Sequence, residues 1–308
     1  MKTKFISLFL VFFTAVSFAQ QDAQYTQYMY NTNIVNPAYI GSKQNLSVFA
    51  LHRSQWVGFD DAPSTNNFSI SSPISKSIGI GLSVVNDKIG PAEENSFAVD
   101  LSYGFNISEN YKLSFGLKGS GNMLNVDFTK LNLYNPSDPR FQNNIDNRFS
   151  TNIGAGLYLN SENSYFGLSI PYLIESKHYD GTATNNSNSF IASEKKHYYL
   201  IAGHVFDLNE NLKFKPSLLT KMVQGSPLQV DLSGNFLINN KFNAGLAYRV
   251  NASFSALLGF QINNSLFIGY AYDRETTKLA NYNSGSHEFF LRFELIKRNV
   301  KIMSPRFF

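Results

Sequence analysis

The chain has 308 residues, including 28 Phe and 17 Tyr, with charged residues at only 16% and a formal charge of +4 scattered along its length. So low a charge fraction is unlike a soluble surface, and the dispersed basic residues make no nucleic-acid footprint. There is no cysteine, which excludes thiolate catalysis, cysteine-based zinc sites and disulfides.

Residues 1–19 read "MKTKFISLFLVFFTAVSFA". A basic start (Lys2, Lys4), an apolar stretch from Phe5 to Val16 and small residues at Ser17 and Ala19 predict a secretory signal peptide cut between Ala19 and Gln20. Its loss takes two of the 26 basic residues and leaves 24 against 22 acidic ones, a nearly neutral exported chain. No run of ~18 apolar residues follows, so no transmembrane helix is expected.

Residues 20–45 precede the first strand and are read as a periplasmic N-terminal segment. Its aromatics (Tyr25, Tyr28, Tyr30, Tyr39) and amides (Gln24, Gln27, Asn31, Asn33, Asn36) suit a docking element or a lumen plug. A lead-in packed on a barrel rim suits them as well, and Asn36-Pro37 signals a turn.

From residue 46 to 296 the hydropathy has period two. In 253–262, Phe254, Ala256, Leu258, Phe260 and Ile262 alternate with Ser253, Ser255, Gly259 and Gln261. After Asn263-Asn264, Leu266, Ile268, Tyr270 and Tyr272 resume the apolar face. This is a hairpin with two unlike faces. Similar segments begin near residues 46, 66, 76, 96, 110, 148, 164, 197, 211, 227, 241, 252, 264 and 286. At ~10 residues each, they suit tilted strands crossing a bilayer.

The connections take turns in length. The set at 72–77, 108–110, 161–163, 209–211, 239–240 and 263–264 is short and polar. The set at 53–65, 87–95, 122–147, 173–196, 222–226 and 274–285 is longer, with one short member at Val250-Asn251. A soluble sandwich would have five- or six-residue strands with their apolar faces packed together. Here every strand is longer and carries an apolar face. Unpaired backbone in hydrocarbon costs several kcal/mol per group, so a sheet in lipid must close. The predicted fold is all-β: a transmembrane antiparallel up-and-down β-barrel of about 14 strands in the outer membrane, with lipid as its first partner. Inward positions then carry Asp100, Lys112, Lys118, Lys213, Lys215, Asp231, Arg249, Glu288, Arg292 and Glu294. Both signs are present, so a charged channel lining and paired side chains filling the lumen are both open. Many glycines also fall inward, where a barrel uses them for tapering and close packing.

Four stretches go beyond generic barrel chemistry: "QDAQYTQYMYNTNIVNPAYIGS" (21–42), "RSQWVGFDDAPSTNNFSI" (53–70), "GIGLSVVNDKIGPAEENSFAVDLSY" (79–103) and "SPRFF" (304–308). Together they resemble the PorP/SprF family of outer-membrane proteins of the Bacteroidetes type IX secretion system. Members read QDPQ-F-QYM near the mature start, then NPAYAG, then R-QW-GF-GAP. Here Ala23, Ile40 and Asp61 depart mildly from that pattern. The resemblance implies a role in secretion or surface attachment of large adhesin-like proteins, including those of gliding motility, whose C-terminal sorting domains are of the gliding type. It also implies contact with periplasmic components of the same machinery.

Candidate partner-binding residues are Tyr25, Tyr28, Asn36, Pro37 and Tyr39 in the N-terminal segment, Arg53, Trp56 and Phe59 in the first outward loop, and Arg306, Phe307 and Phe308 at the end of the tail 297–308. Trp56, the only Trp, suits an interface anchor and also a partner contact. Asp60 and Asp61 are too few for calcium, which wants six or more oxygens. The terminal aromatics lie about twelve residues beyond the last strand. The barrel-insertion signal is therefore read at Phe289 to Leu295, leaving the terminal aromatics to dock a periplasmic partner.

No metal or cofactor is expected. His52, His178, His197, His204 and His287 are scattered without ligand spacing, and no phosphate loop or GxSxG elbow appears. The expected function is non-enzymatic: assisting type IX secretion or anchoring a large adhesin. A channel for small solutes is the main alternative, and a soluble periplasmic β-protein a third.

Overall fold

The computed structural model describes residues 24–132, 143–175, 180–181, 189–190 and 195–295. The signal peptide and the tail 297–308, with Arg306, Phe307 and Phe308, lie outside the described residues. The strands are β1 Leu46–Ser54, β2 Ser64–Pro73, β3 Ile78–Ile89, β4 Ala92–Asn106, β5 Lys112–Val126, β6 Ile145–Asn160, β7 Ser164–Ile170, β8 Asp180–Gly181, β9 Ser189–Phe190, β10 His197–His204, β11 Phe206–Asn209, β12 Leu212–Val223, β13 Gln229–Ile238, β14 Phe242–Arg249, β15 Ser253–Gln261, β16 Leu266–Glu275 and β17 Ser286–Leu295. Apart from the two-residue pair β8–β9, all belong to one sheet.

That sheet closes. β1 pairs with β17, and β10 bridges β7 to β12, every pairing being antiparallel. β11 continues the course of β10 against β12, so the wall has fourteen strands. The break between β10 and β11 falls opposite Pro216 of β12, which has no N–H to give a neighbour. Among the described residues no helix is long and apolar enough to cross a membrane; strands make the crossing.

Along β15 the burial alternates strictly, with Ser253, Ser255, Leu257, Gly259 and Gln261 inward and Phe254, Ala256, Leu258 and Phe260 outward. The outward faces of neighbouring strands merge into an apolar band that includes Phe68, Leu82, Val99, Leu117, Leu246, Phe289 and Leu291, all exposed. A ladder of polar side chains caps this band on one side. His52 Nδ1 meets Asn66 Oδ1 (2.8 Å), Asn66 reaches Asn86 (3.3 Å), and Asn86 donates to Glu93 and Asn95 (2.9 Å each). These groups need water or headgroups, so they mark where hydrocarbon ends. Toward the opposite rim Tyr103, Phe105 and Phe115 form an aromatic run, tilted at the first pair and stacked at the second, as barrels place at interfaces.

The ends of the cylinder differ. One carries the short turns and the other the longer connections. Barrels keep their tight turns in the periplasm, so the two ends are the periplasmic and the outer end. One predicted outward connection is corrected. Residues 87–95 are mostly strand, because β3 and β4 run on until only Gly90 and Pro91 join them, with Gly90 at φ +56°. Beyond the lipid both faces of a strand are wet. Polar residues such as Asn86, Glu93 and Glu94 can then extend the ladder without alternating.

A charge on the lipid face should be costly. Leu258→Arg, near mid-strand in β15, is expected to lower barrel stability by about 2–4 kcal/mol, read as a lower denaturant midpoint in lipid vesicles.

Candidate functional site

A cylinder of fourteen strands is wider than its own side chains can fill. Residues 25–41 occupy the space. Nearly all of them are buried, with Asn36 and Ala38 fully so and Ile40 at 1% exposure. The segment is not a strand but three short 3-10 turns, at Tyr28–Tyr30, Thr32–Ile34 and Pro37–Ser42. Asn36 starts the last of these. Its Oδ1 accepts from Ala38 N (3.0 Å), and Pro37 sits in the first turn, where its missing N–H is no loss.

One wall is cut away to receive this turn. A Cβ on Gly116 would stand 2.1 Å from Ala38 N, and one on Gly156 would stand 2.2 Å from Asn36 Oδ1. Gly79 and Gly81 make room in the same way for Ile40. Only glycine permits so close an approach. Asn36 Nδ2 then donates to the Leu157 carbonyl (2.9 Å), and Ser169 Oγ donates to the Val35 carbonyl (2.6 Å). Lys118 reaches the carbonyl of Asn33 (3.3 Å), and Lys112 that of Gly41 (2.7 Å). Buried backbone carbonyls need such partners, and here the inward wall residues supply them.

The opposite wall is aromatic. Tyr30 stacks on Phe290 (centroids 4.9 Å) and lies against Phe267 (5.4 Å), while Phe49 stacks behind Phe290 (5.2 Å). Asn243 Nδ2 donates to Tyr30 Oη (2.6 Å), and the Lys215 ammonium and Arg292 guanidinium both lie about 5.5 Å from the Tyr30 ring. On the glycine side Tyr39 meets Tyr158 edge-on (5.4 Å).

Near the outer end the segment is latched by charge. Arg53 pairs with Asp273 (2.7 Å) and Glu288 (3.1 Å), all three being at most 2% exposed. The two oxygens of Glu288 accept the consecutive backbone N–H groups of Thr26 and Gln27, each at 2.9 Å. Thr26 Oγ1 donates to Asp273 Oδ2 (2.6 Å) and accepts from Arg53 (3.0 Å). An arginine and two carboxylates removed from water are tolerable only when paired and fully hydrogen-bonded. The segment's own backbone supplies two of the hydrogen bonds that Glu288 needs. The buried pair Lys118–Asp100 (2.9 Å) and the part-buried pair Arg249–Asp231 (2.9 Å) also line the lumen.

The candidate residues therefore separate. Tyr25, Tyr28, Asn36, Pro37 and Tyr39 face the inner wall and lie within the lumen, not below the rim. Arg53 belongs to the latch and is closed to solvent. Trp56 (φ +46°) is pinned at the outer rim: its N–H groups donate to Ser286 Oγ (3.1 Å) and, from the indole, to Glu275 Oε1 (3.2 Å). Val57 exchanges backbone hydrogen bonds with Gly285 and Ser284, tying residues 55–63 to 276–285. Val57, Phe59 and Tyr282 remain exposed on this joined surface. In the outer connection after β5, Thr129 donates to the Asp127 carboxylate from its hydroxyl (2.6 Å) and its backbone N–H (3.1 Å). These bonds hold that carboxyl below its ordinary value. Thr26, Asp273 and the inward Phe49, Phe267 and Phe290 were not singled out in the sequence, whereas Gln27 was, as one of the amides of the N-terminal segment. The signal present there was large aromatic rings at inward positions of strands that otherwise carry small or polar residues inside.

Fold and lumen define a class: an outer-membrane β-barrel filled by its own N-terminal segment. The sequence matches the type IX secretion system membrane proteins PorP/SprF over residues 17–293, and the chain belongs to that family. No curated protein matches it in sequence. Several solved structures are similar at low identity. The CymD monoaromatic hydrocarbon channel has 13% identity and a TM-score of 0.51, covering 89% of this chain and 94% of that one. The Ralstonia pickettii toluene transporter TbuX has 10% identity and a TM-score of 0.49, covering 84% and 91%. The Acinetobacter baumannii outer membrane protein Omp33 has 9% identity and a TM-score of 0.47, covering 82% and 98%. The chain is thus an outer-membrane component of type IX secretion.

Two outcomes are expected. Deleting residues 24–40 should turn a barrel that is silent in planar bilayers into one that conducts ions. Glu288→Ala removes one partner of a buried charge and should cost about 3–5 kcal/mol, measured as a lowered unfolding midpoint in detergent.

Proposed function

We propose that this barrel serves type IX secretion as a non-enzymatic scaffold that holds a large adhesin-like client at the cell surface. The client's gliding-type C-terminal sorting domain is read as the mark that routes it here. The observation that carries the reading is the occupied lumen: with residues 25–41 filling the cylinder, the faces open to partners are the two rims. The outer rim offers Val57, Phe59 and Tyr282 on a surface that Trp56 and the backbone pairing of residues 55–63 with 276–285 make rigid. Exposed aromatics on a fixed platform suit a protein contact better than a solvated loop does. The periplasmic rim offers a mixed recess of about 370 Å³ bordered by Tyr39, Lys43, Tyr111, Glu162 and Glu294, which suits a periplasmic component of the same machinery.

The solute-channel alternative has the fold of known channels in its favour, but that likeness is one of fold alone, and the filled lumen counts against it. Tagged barrel purified from gently solubilised outer membranes is expected to bring down a large surface protein and secretion components in near-stoichiometric amounts. Phe59→Ala combined with Tyr282→Ala should reduce the surface protein several-fold without lowering the amount of barrel. Recovery of bare barrel that conducts small ions would reverse the assignment.

A further inference from the structure

The lumen segment has a direction. Its first described residue, Gln24, donates from its amide to Gln229 (3.0 Å), the residue that opens β13 at the outer end. Thr26 and Gln27 then meet Glu288 and Asp273, which stand near the outer ends of β17 and β16. Tyr30 lies farther down, against Phe267 and Phe290. At the periplasmic end Lys112 holds the Gly41 carbonyl (2.7 Å) and Lys43 faces Glu294 (3.6 Å). The chain thus descends through the cylinder from its outer mouth and reverses at the periplasmic rim into β1.

We infer that the leading end of the processed chain is exposed on the outside of the cell and not in the periplasm. Chain length limits where that end can lie. Four residues, 20–23, stand between the expected cleavage after Ala19 and Gln24; fully extended they span at most ~14 Å. A nine-residue strand such as β1 spans ~30 Å. Four residues cannot return past a lumen already filled by residues 25–41. Their composition agrees with the placement, since Gln20, Gln21 and Asp22 are polar. The outer mouth beside Gln24 is lined by the Asp231–Arg249 pair and Gln229. The latch fixes the orientation. Two consecutive backbone N–H groups on one buried carboxylate, with Arg53 and Asp273 beside it, hold Thr26 and Gln27 at the outer end. The outer surface of this protein would then be built from its long connections and its own N-terminus together.

The absence of cysteine allows a direct test on intact cells with a membrane-impermeant maleimide. Asp22→Cys and Gln24→Cys are compared with Phe59→Cys, in an exposed outer connection, and Asn110→Cys, in an exposed short turn. Both N-terminal cysteines are expected to label like Phe59→Cys, while Asn110→Cys labels only after the outer membrane is permeabilised. Labelling of Asp22→Cys only after permeabilisation would overturn the inference. So would failure to label it under either condition, or labelling of Asn110→Cys but not Phe59→Cys in intact cells. None of these outcomes bears on whether a client co-purifies, so this placement and the scaffold reading fail separately.

Discussion

Hydrocarbon offers a backbone N–H or C=O no partner, and that single constraint organises the molecule. It forces the sheet to close through β1–β17 and β7–β10–β12, because an open edge would leave a row of unpaired groups in lipid. Closure in turn assigns every second residue to the inside. A wall of fourteen strands then encloses more volume than inward side chains can occupy, and the chain meets that excess with its own first residues.

The filling is asymmetric for a physical reason. A segment of 3-10 turns leaves backbone polar groups unpaired within itself, so it must lie against donors and acceptors. On the β3–β7 side the wall supplies glycine clearance together with Ser169, Lys112 and Lys118 for the carbonyls. On the far side the requirement is volume, and Phe49, Phe267 and Phe290 supply it around Tyr30. The charged latch joins the two walls, since Glu288 and Asp273 neutralise Arg53, Glu288 accepts the entering backbone N–H groups and Asp273 accepts the Thr26 hydroxyl. A lumen so filled shifts the working surfaces of the protein to its rims.

How much of this was legible varies by level. The strand starts, the two connection classes and the inward set that includes Asp100, Lys118, Glu288 and Arg292 follow from period-two hydropathy and polar turns. Residues 87–95 misled, because alternation stops reporting strand wherever both faces are wet. The aromatics and amides of 20–45 marked the segment as special and left two readings open, a docking element or plug on one hand and a rim lead-in on the other. Trp56 could be read as an anchor or a contact; the hydrogen bonds to Glu275 and Ser286 fasten it to the rim, and Phe59 is the residue left exposed.

By itself the sequence determined that this chain is a barrel and which face of each strand meets lipid. Those are local properties: successive side chains point to opposite sides of a strand, and hydrocarbon rejects one side. Only the tertiary structure decided that residues 25–41 fill the lumen, and that Thr26 and Gln27 meet a glutamate more than 260 positions away. It alone decided that the segment enters from the outer mouth. Such pairings depend on the register of every strand between and on closure of the cylinder, which no short stretch of chain encodes.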